Sequence, residues 1–223
     1  MEQEVVVKVE NISKSYGEQK VLQGISMELH KGKIYGLIGR NGSGKTVLMK
    51  CICGFVVPDT GRVIVSGKEV GKENDMAENV GVIIETPGFL PSYSGYKNLV
   101  FLAMLKKKVG DERIRQVIEQ VGLEPDSKKH VAKYSLGMRQ RLGIAQAILE
   151  NPDILILDEP MNGLDNQGVK EMRKLFLQQK EEGKTILLAS HNRDDIEVLC
   201  DEVYEMEHGK MVSFEVVGEP NIL

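Results

Sequence analysis

The chain has 223 residues, 41% hydrophobic and 28% charged, with 29 Lys and Arg against 33 Asp and Glu for a formal charge of -4. That length suits one domain of generous size, or one domain with an inserted subdomain, and it can fold without disulfides or a structural metal. The mildly acidic balance disfavours a protein that coats nucleic acid, and the longest stretch free of Asp, Glu, Lys and Arg, residues 86–96, is far short of the roughly 20 residues of a membrane span.

Cys51, Cys53 and Cys200 form an odd, sparse set without paired CxxC spacing. They point to a reducing compartment and away from a disulfide framework or a zinc site. The N-terminus, Met-Glu-Gln-Glu followed by valines, lacks the basic and apolar regions of a signal peptide, so the expectation is a cytosolic α/β protein.

In chain order, residues 5–10 and 25–29 alternate apolar and polar side chains, the period of half-exposed strands, with residues 13–20 read as the turn between them. Residues 34–38 are a short apolar run ending at Gly39, which predicts a buried strand. A helix over 46–53 follows, closed by Gly54 and Pro58, and then strands at 62–66 and 80–84. The middle changes to helices at 95–107, 111–121 and 138–149, with Asp111 and Glu112 at an N-terminus and Gly122 at an end. The last third alternates again: strand 154–158, helix 166–182, strand 185–190, helix 194–199 and a closing hairpin of 202–207 with 211–217.

Between the third strand and the first helix lies Gly39-Arg40-Asn41-Gly42-Ser43-Gly44-Lys45-Thr46, which fits GxxxxGK[ST]. Glycines let backbone N–H groups turn inward around phosphate oxygens, and the helix that follows points its positive end at the same anion. Lys45 supplies a point charge to the β- and γ-phosphates, and the Thr46 hydroxyl can bind Mg²⁺. At the end of strand 154–158 stand Asp158 and Glu159. In a parallel sheet ligands bind at the carboxyl ends of strands, so Asp158 can hold Mg²⁺, directly or through water, and Glu159 can orient an attacking water. Ser135 and Gly137 open the helix near 138; by themselves they read as an N-cap.

Together these residues resemble the nucleotide-binding domain of an ABC transporter over nearly the whole chain. Residues 39–46 match its Walker A motif and 154–159 its Walker B motif. Tyr134-Ser135-Leu136-Gly137-Met138 resembles the signature motif, Asn162-Gly163-Leu164-Asp165 the D-loop, His191 the switch histidine, and Tyr16 the aromatic residue that stacks on adenine. The resemblance implies an α/β fold: a P-loop NTPase (RecA-like) core with an antiparallel β subdomain and an inserted α-helical subdomain. The core would take 1–85 and 151–223, and the helical insertion 86–150. It also implies ATP and Mg²⁺ as ligands, hydrolysis at the interface of two cassettes packed head to tail, and Ser135 and Gly137 meeting the partner's ATP in trans. The pair would be two copies, or one copy with a similar subunit. The chain would sit in the cytoplasm, on the inner face of the cell membrane, docked on transmembrane permease subunits, with no nucleic acid as partner. The surface near Phe89–Tyr96 would receive a coupling helix, and Lys106–Lys108, Lys128 and Lys129 read as solvated.

Two positions depart from the family pattern. Glu85 stands where the family usually has a Mg²⁺-binding Gln, and Met138 stands where Gln is common. Glu85, with Pro87-Gly88-Phe89 and Gly95-Tyr96-Lys97-Asn98-Leu99, resembles exporters of peptide antibiotics of the bacitracin and lantibiotic self-protection type. A carboxylate there should bind Mg²⁺ well and repel phosphate when the metal is absent. The same ATP chemistry would also serve an ATPase that regulates or drives a membrane protein without moving cargo. Translation or DNA-maintenance relatives fit less well, because no coiled coil or zinc module interrupts the chain.

Overall fold

The structure, a computed structural model, describes residues 4–71, 76–85, 87–106 and 109–217. Strands β1 (Val5–Tyr16) and β2 (Gln19–His30) form a long antiparallel hairpin. The turn expected over 13–20 is far tighter: pairing runs out to Tyr16 opposite Gln19, leaving only Gly17 and Glu18 between the strands. The polar side chains of this stretch sit on a mostly exposed face, where a strand needs no apolar alternation, and Gly17 takes the positive φ of 59° that a two-residue turn requires. Strand β3 (Ile34–Ile38) and helix α1 (Lys45–Ile52) follow as expected. β4 (Thr60–Val65) and the very short β5 (Lys68–Val70), which had no sequence signal, complete an antiparallel sheet of order β2-β1-β4-β5.

The second sheet contains β3, β6 (Val80–Ile83), β7 (Ile154–Asp158), β8 (Thr185–Ala189), β9 (Glu202–Glu207) and β10 (Lys210–Val216), in the order β10-β9-β3-β8-β7-β6. All its pairings are parallel except β9 with β10. Between β6 and β7 the chain builds α2 (Gly95–Lys106), α3 (Asp111–Gln120), a 3₁₀ turn at Val131–Lys133 and α4 (Leu136–Ile148). Thr86, where the helical insertion was expected to begin, and Lys107 and Lys108 lie outside the described residues. α5 (Asn166–Glu181) and α6 (Arg193–Leu199) connect the later strands. The fold is thus an α/β core with an antiparallel sheet and a helical insertion, as expected.

The parallel strands are apolar on both faces because they serve two cores. Leu155 and Leu157 of β7 and Ile186 and Leu188 of β8 pack with the helices α2 to α5. Their neighbours Ile154, Ile156, Leu187 and Ala189 pack with α1 and the antiparallel sheet. This is the pattern of a sheet covered on both sides. Helix α4 lies so close to β6 that a Cβ on Gly81 would stand 2.0 Å from the Ala147 carbonyl oxygen. Cys51, Cys53 and Cys200 are buried in these cores, and burial pushes their thiols up to about 11, 12 and 12, so they pack rather than react.

Candidate active site

β3 ends at Ile38 and α1 begins at Lys45, so residues 39–44 must turn the chain from the sheet edge into the helix. Gly39, Gly42 and Gly44 do this with φ of 145°, 82° and 106°, values that L side chains rarely adopt. The loop is pressed against a framework from distant sequence. A Cβ on Gly39 would lie 2.2 Å from the Met206 carbonyl oxygen of β9, and one on Gly44 2.8 Å from the Val21 carbonyl oxygen of β2. Gly209, in the turn after β9, donates its N–H to the Ser43 carbonyl at 3.0 Å and accepts from the Gln23 N–H at 2.8 Å. No side chain caps the N-terminus of α1, so its first N–H groups, which lack intrahelical acceptors, are left for an anion.

Lys45 folds back over the loop, its Nζ donating to the carbonyls of Gly39 (2.7 Å) and Arg40 (3.3 Å). The Thr46 hydroxyl donates to Asp158 Oδ2 at 2.7 Å, which joins the start of α1 to the end of β7. Glu159 follows with φ 48°, its N–H bonded to the Ala189 carbonyl of β8 at 2.9 Å. Its Oε2 lies 2.8 Å from His191 Nδ1, a hydrogen bond when that nitrogen carries the proton. A cavity of about 730 Å³ opens over these groups. Asn41, Gly42, Gly44, Lys45, Thr46, Glu85, Asp158 and Glu159 all line it, and His191 reaches it through Glu159.

Other expected site residues lie elsewhere. Gly39, Arg40 and Ser43 belong to the loop but do not line the cavity. Tyr16, at the end of β1, is half exposed and also lies outside the lining, where Gln19 and Val21 of β2 stand instead. Ser135 accepts the Met138 N–H at 3.2 Å, the N-cap read from sequence, and α4 therefore starts at Leu136 rather than 138. Gly137 packs on the Gly163 carbonyl, and Asp165 caps α5 by accepting the Gly168 N–H at 2.7 Å. Leu136 and Gly163, beside these residues, do reach the cavity.

Two groups went unrecognised in the sequence. Gln140 donates to the carbonyl oxygens of Pro160 (3.0 Å) and Glu159 (3.4 Å), which ties α4 to the turn after β7. Asp195 is buried: its Oδ1 accepts from Arg173 Nε (2.9 Å) and Nη2 (2.6 Å), and its Oδ2 from the Ser190 hydroxyl (3.1 Å). Ser190 Oγ in turn accepts the Asn192 N–H at 3.1 Å, so the network grips both flanks of His191. Asp195→Ala strands the guanidinium of Arg173 and is expected to cost about 3 kcal/mol, a fall of roughly 6–12 °C in Tm by thermal melting.

The donor set suits a hard divalent cation. Thr46 and Asp158 offer adjacent oxygens at the cavity wall. Among the described residues no cluster of three or more His, Cys, Asp or Glu forms a full cage. Mg²⁺ characteristically takes one or two protein oxygens and fills its remaining positions with water and phosphate.

The profile of the family described as "ABC transporter" matches residues 22–162. The chain belongs to this family. As an ABC cassette it is similar to YybJ of Bacillus subtilis (strain 168), an uncharacterized ABC transporter ATP-binding protein. The two are 44% identical over 95% of this chain and 97% of YybJ. It is also 44% identical to the bacitracin transport ATP-binding protein BcrA of Enterococcus faecalis, over 97% of this chain and 71% of BcrA. Among solved structures, an ATP-binding subunit of an ABC transporter superposes with a TM-score of 0.86 at 27% identity, covering 95% of this chain and 90% of the other. A dimeric cassette bound to ADP and Pi has the same fold, with a TM-score of 0.86 at 21% identity over 96% and 99% of the two chains. The cassette binds and hydrolyses ATP, and among its described residues no helix is long and apolar enough to cross a membrane.

Proposed function

We propose that this ABC ATPase powers export of a peptide antibiotic through separate transmembrane subunits, with ATP hydrolysed between two cassettes packed head to tail. The observation that carries the reading is the convergence of Lys45, the Thr46–Asp158 pair and the Glu159–His191 pair on one cavity. The 44% identity to BcrA supports the cargo class, and the dimeric cassette structure supports the pairing.

In this reading the loop N–H groups and Lys45 bind the β- and γ-phosphates, and Tyr16 packs on the adenine. Thr46, Asp158 and Glu85 hold Mg²⁺, which neutralises phosphate charge when bound. Glu159 orients the attacking water and takes its proton, and His191 steadies the Glu159 carboxylate and senses the γ-phosphate. Ser135, Gly137 and Asp165 belong to the face that meets the second cassette. Domain limits of 1–85 with 151–223 for the core, and 86–150 for the helical insertion, go with this assignment.

The test is co-expression with a candidate permease, identified as the membrane protein that co-purifies with the chain, followed by Mg²⁺-dependent ATPase assays with and without bacitracin-like peptides. Activity that rises with the permease and with peptide supports export; absence of ATPase activity even with the permease overturns the reading. Glu85→Gln removes a charged donor worth on the order of 1 kcal/mol. It should therefore raise the Mg²⁺ concentration for half-maximal turnover about fivefold. An unchanged Mg²⁺ titration removes Glu85 from the metal site.

A further inference from the structure

Glu85 brings a negative charge to a cavity built for polyphosphate, and the structure contains a counter-charge for it. Lys50 Nζ lies 2.6 Å from Glu85 Oε1. Lys50 sits on α1 one turn after Thr46, on the same side of the helix that opens with the phosphate-loop lysine. Glu85, just past the end of β6, holds a φ of 62°, a left-handed conformation that costs a non-glycine residue on the order of 1 kcal/mol and persists only where its surroundings hold it. The Glu85 side chain is 65% exposed and lines the cavity with Thr46 and Asp158, while that of Lys50 is 27% exposed and does not line it. The lysine is thus placed to act on the nucleotide through the carboxylate.

We propose that Lys50 is a positioning residue that neutralises Glu85 while no metal is bound, so that nucleotide can enter, and yields the carboxylate when a divalent cation arrives. Two partners then compete for one carboxylate. With the metal absent, the ion pair cancels the charge that would repel phosphate oxygens. With the metal present, the cation offers a second positive charge and Lys50 becomes dispensable. Glu85 is the group through which Lys50 acts, so any effect of Lys50 on affinity must vanish once Glu85 is uncharged. The inference rests on the assignment of Glu85 to the metal site made above.

The test is a double-mutant cycle on the full chain: wild type, Lys50→Met, Glu85→Gln and the double variant. Affinity for a fluorescent ATP analogue is measured in EDTA and in saturating Mg²⁺. The expected result is that Lys50→Met weakens metal-free binding about tenfold, one uncompensated charge at short range. The loss should shrink below about threefold in Mg²⁺, and Glu85→Gln should restore metal-free affinity to near wild type. An equal loss in both Glu85 backgrounds overturns the proposal, because Lys50 would then act on nucleotide directly or on the fold. No loss in either background also overturns it. The Mg²⁺ titration of Glu85→Gln separately reports on the assignment beneath: if that titration shifts while the cycle shows no coupling, the metal role of Glu85 stands and the Lys50 proposal fails. A melting curve of Lys50→Met near that of wild type, as expected for loss of an exposed pair, shows that the fold is intact.

Discussion

Replacing Glu159 by Gln lowers ATP turnover by about 10²–10⁴-fold, the usual contribution of a positioned general base, while nucleotide affinity stays close to that of wild type. The substitution conserves shape. The amide oxygen can still accept from His191 Nδ1, which lies 2.8 Å from Glu159 Oε2, and the backbone bond from the Glu159 N–H to the Ala189 carbonyl is untouched. What is lost is the negative charge and the ability to take a proton from water. Lys45, Thr46 and Asp158 keep their contacts, so binding survives. With hydrolysis blocked, ATP-bound cassettes should accumulate as dimers. Single-turnover assays and size-exclusion chromatography with ATP check both parts. Turnover within about twofold of wild type would remove Glu159 from the catalytic role.

Gly39→Ala has a comparably large effect by a different route. The added Cβ would stand 2.2 Å from the Met206 carbonyl oxygen and 2.8 Å from Ser43 Oγ, at a φ of 145° that alanine rarely adopts. The first obstacle is backbone of the paired strand β9, which cannot rotate aside as a side chain does. The phosphate loop must move, and forcing it back costs about 3 kcal/mol, or about 10²-fold in ATP affinity. Gly183→Ala is the control: its φ is also positive, at 85°, but nothing lies within 4 Å of the new Cβ, and it sits before β8 outside the cavity lining. That variant should lose about 1 kcal/mol of stability and bind ATP normally. Wild-type ATP affinity in Gly39→Ala would show that the loop does not depend on its seat against β9.

The phosphate loop, the two acids at the end of β7 and most helices are legible in the sequence because their signals are local. Gly39, Gly42 and Gly44 each report a backbone need, and the apolar run of β7 reports burial on two faces. The full extent of the β1–β2 hairpin is not legible in the sequence, because the polar stretch 13–20 is strand only by pairing with its neighbour. β5 escaped notice since three residues show no period. Asp195 and Gln140 look like surface polar residues in the sequence. Their roles come from partners 22 and 20 residues away, Arg173 and Pro160.

Residue types in order therefore specified which chemical groups this cassette owns: a glycine-rich loop with its lysine, a hydroxyl, two acids and a histidine. Whether these groups meet is a matter of long-range packing. Thr46 reaches Asp158 across 112 residues, and His191 reaches Glu159 across 32, only because β3, β8 and β7 lie side by side in the parallel sheet. The turn at Gly209 props the loop through Ser43 because β9 lies beside β3, and Lys50 on α1 meets Glu85, just past the end of β6. Local backbone preferences act over a few residues and can be read from the chain. Neutralising a charge or bracing a strained loop needs atoms within about 3 Å, and only the tertiary arrangement brings them that close.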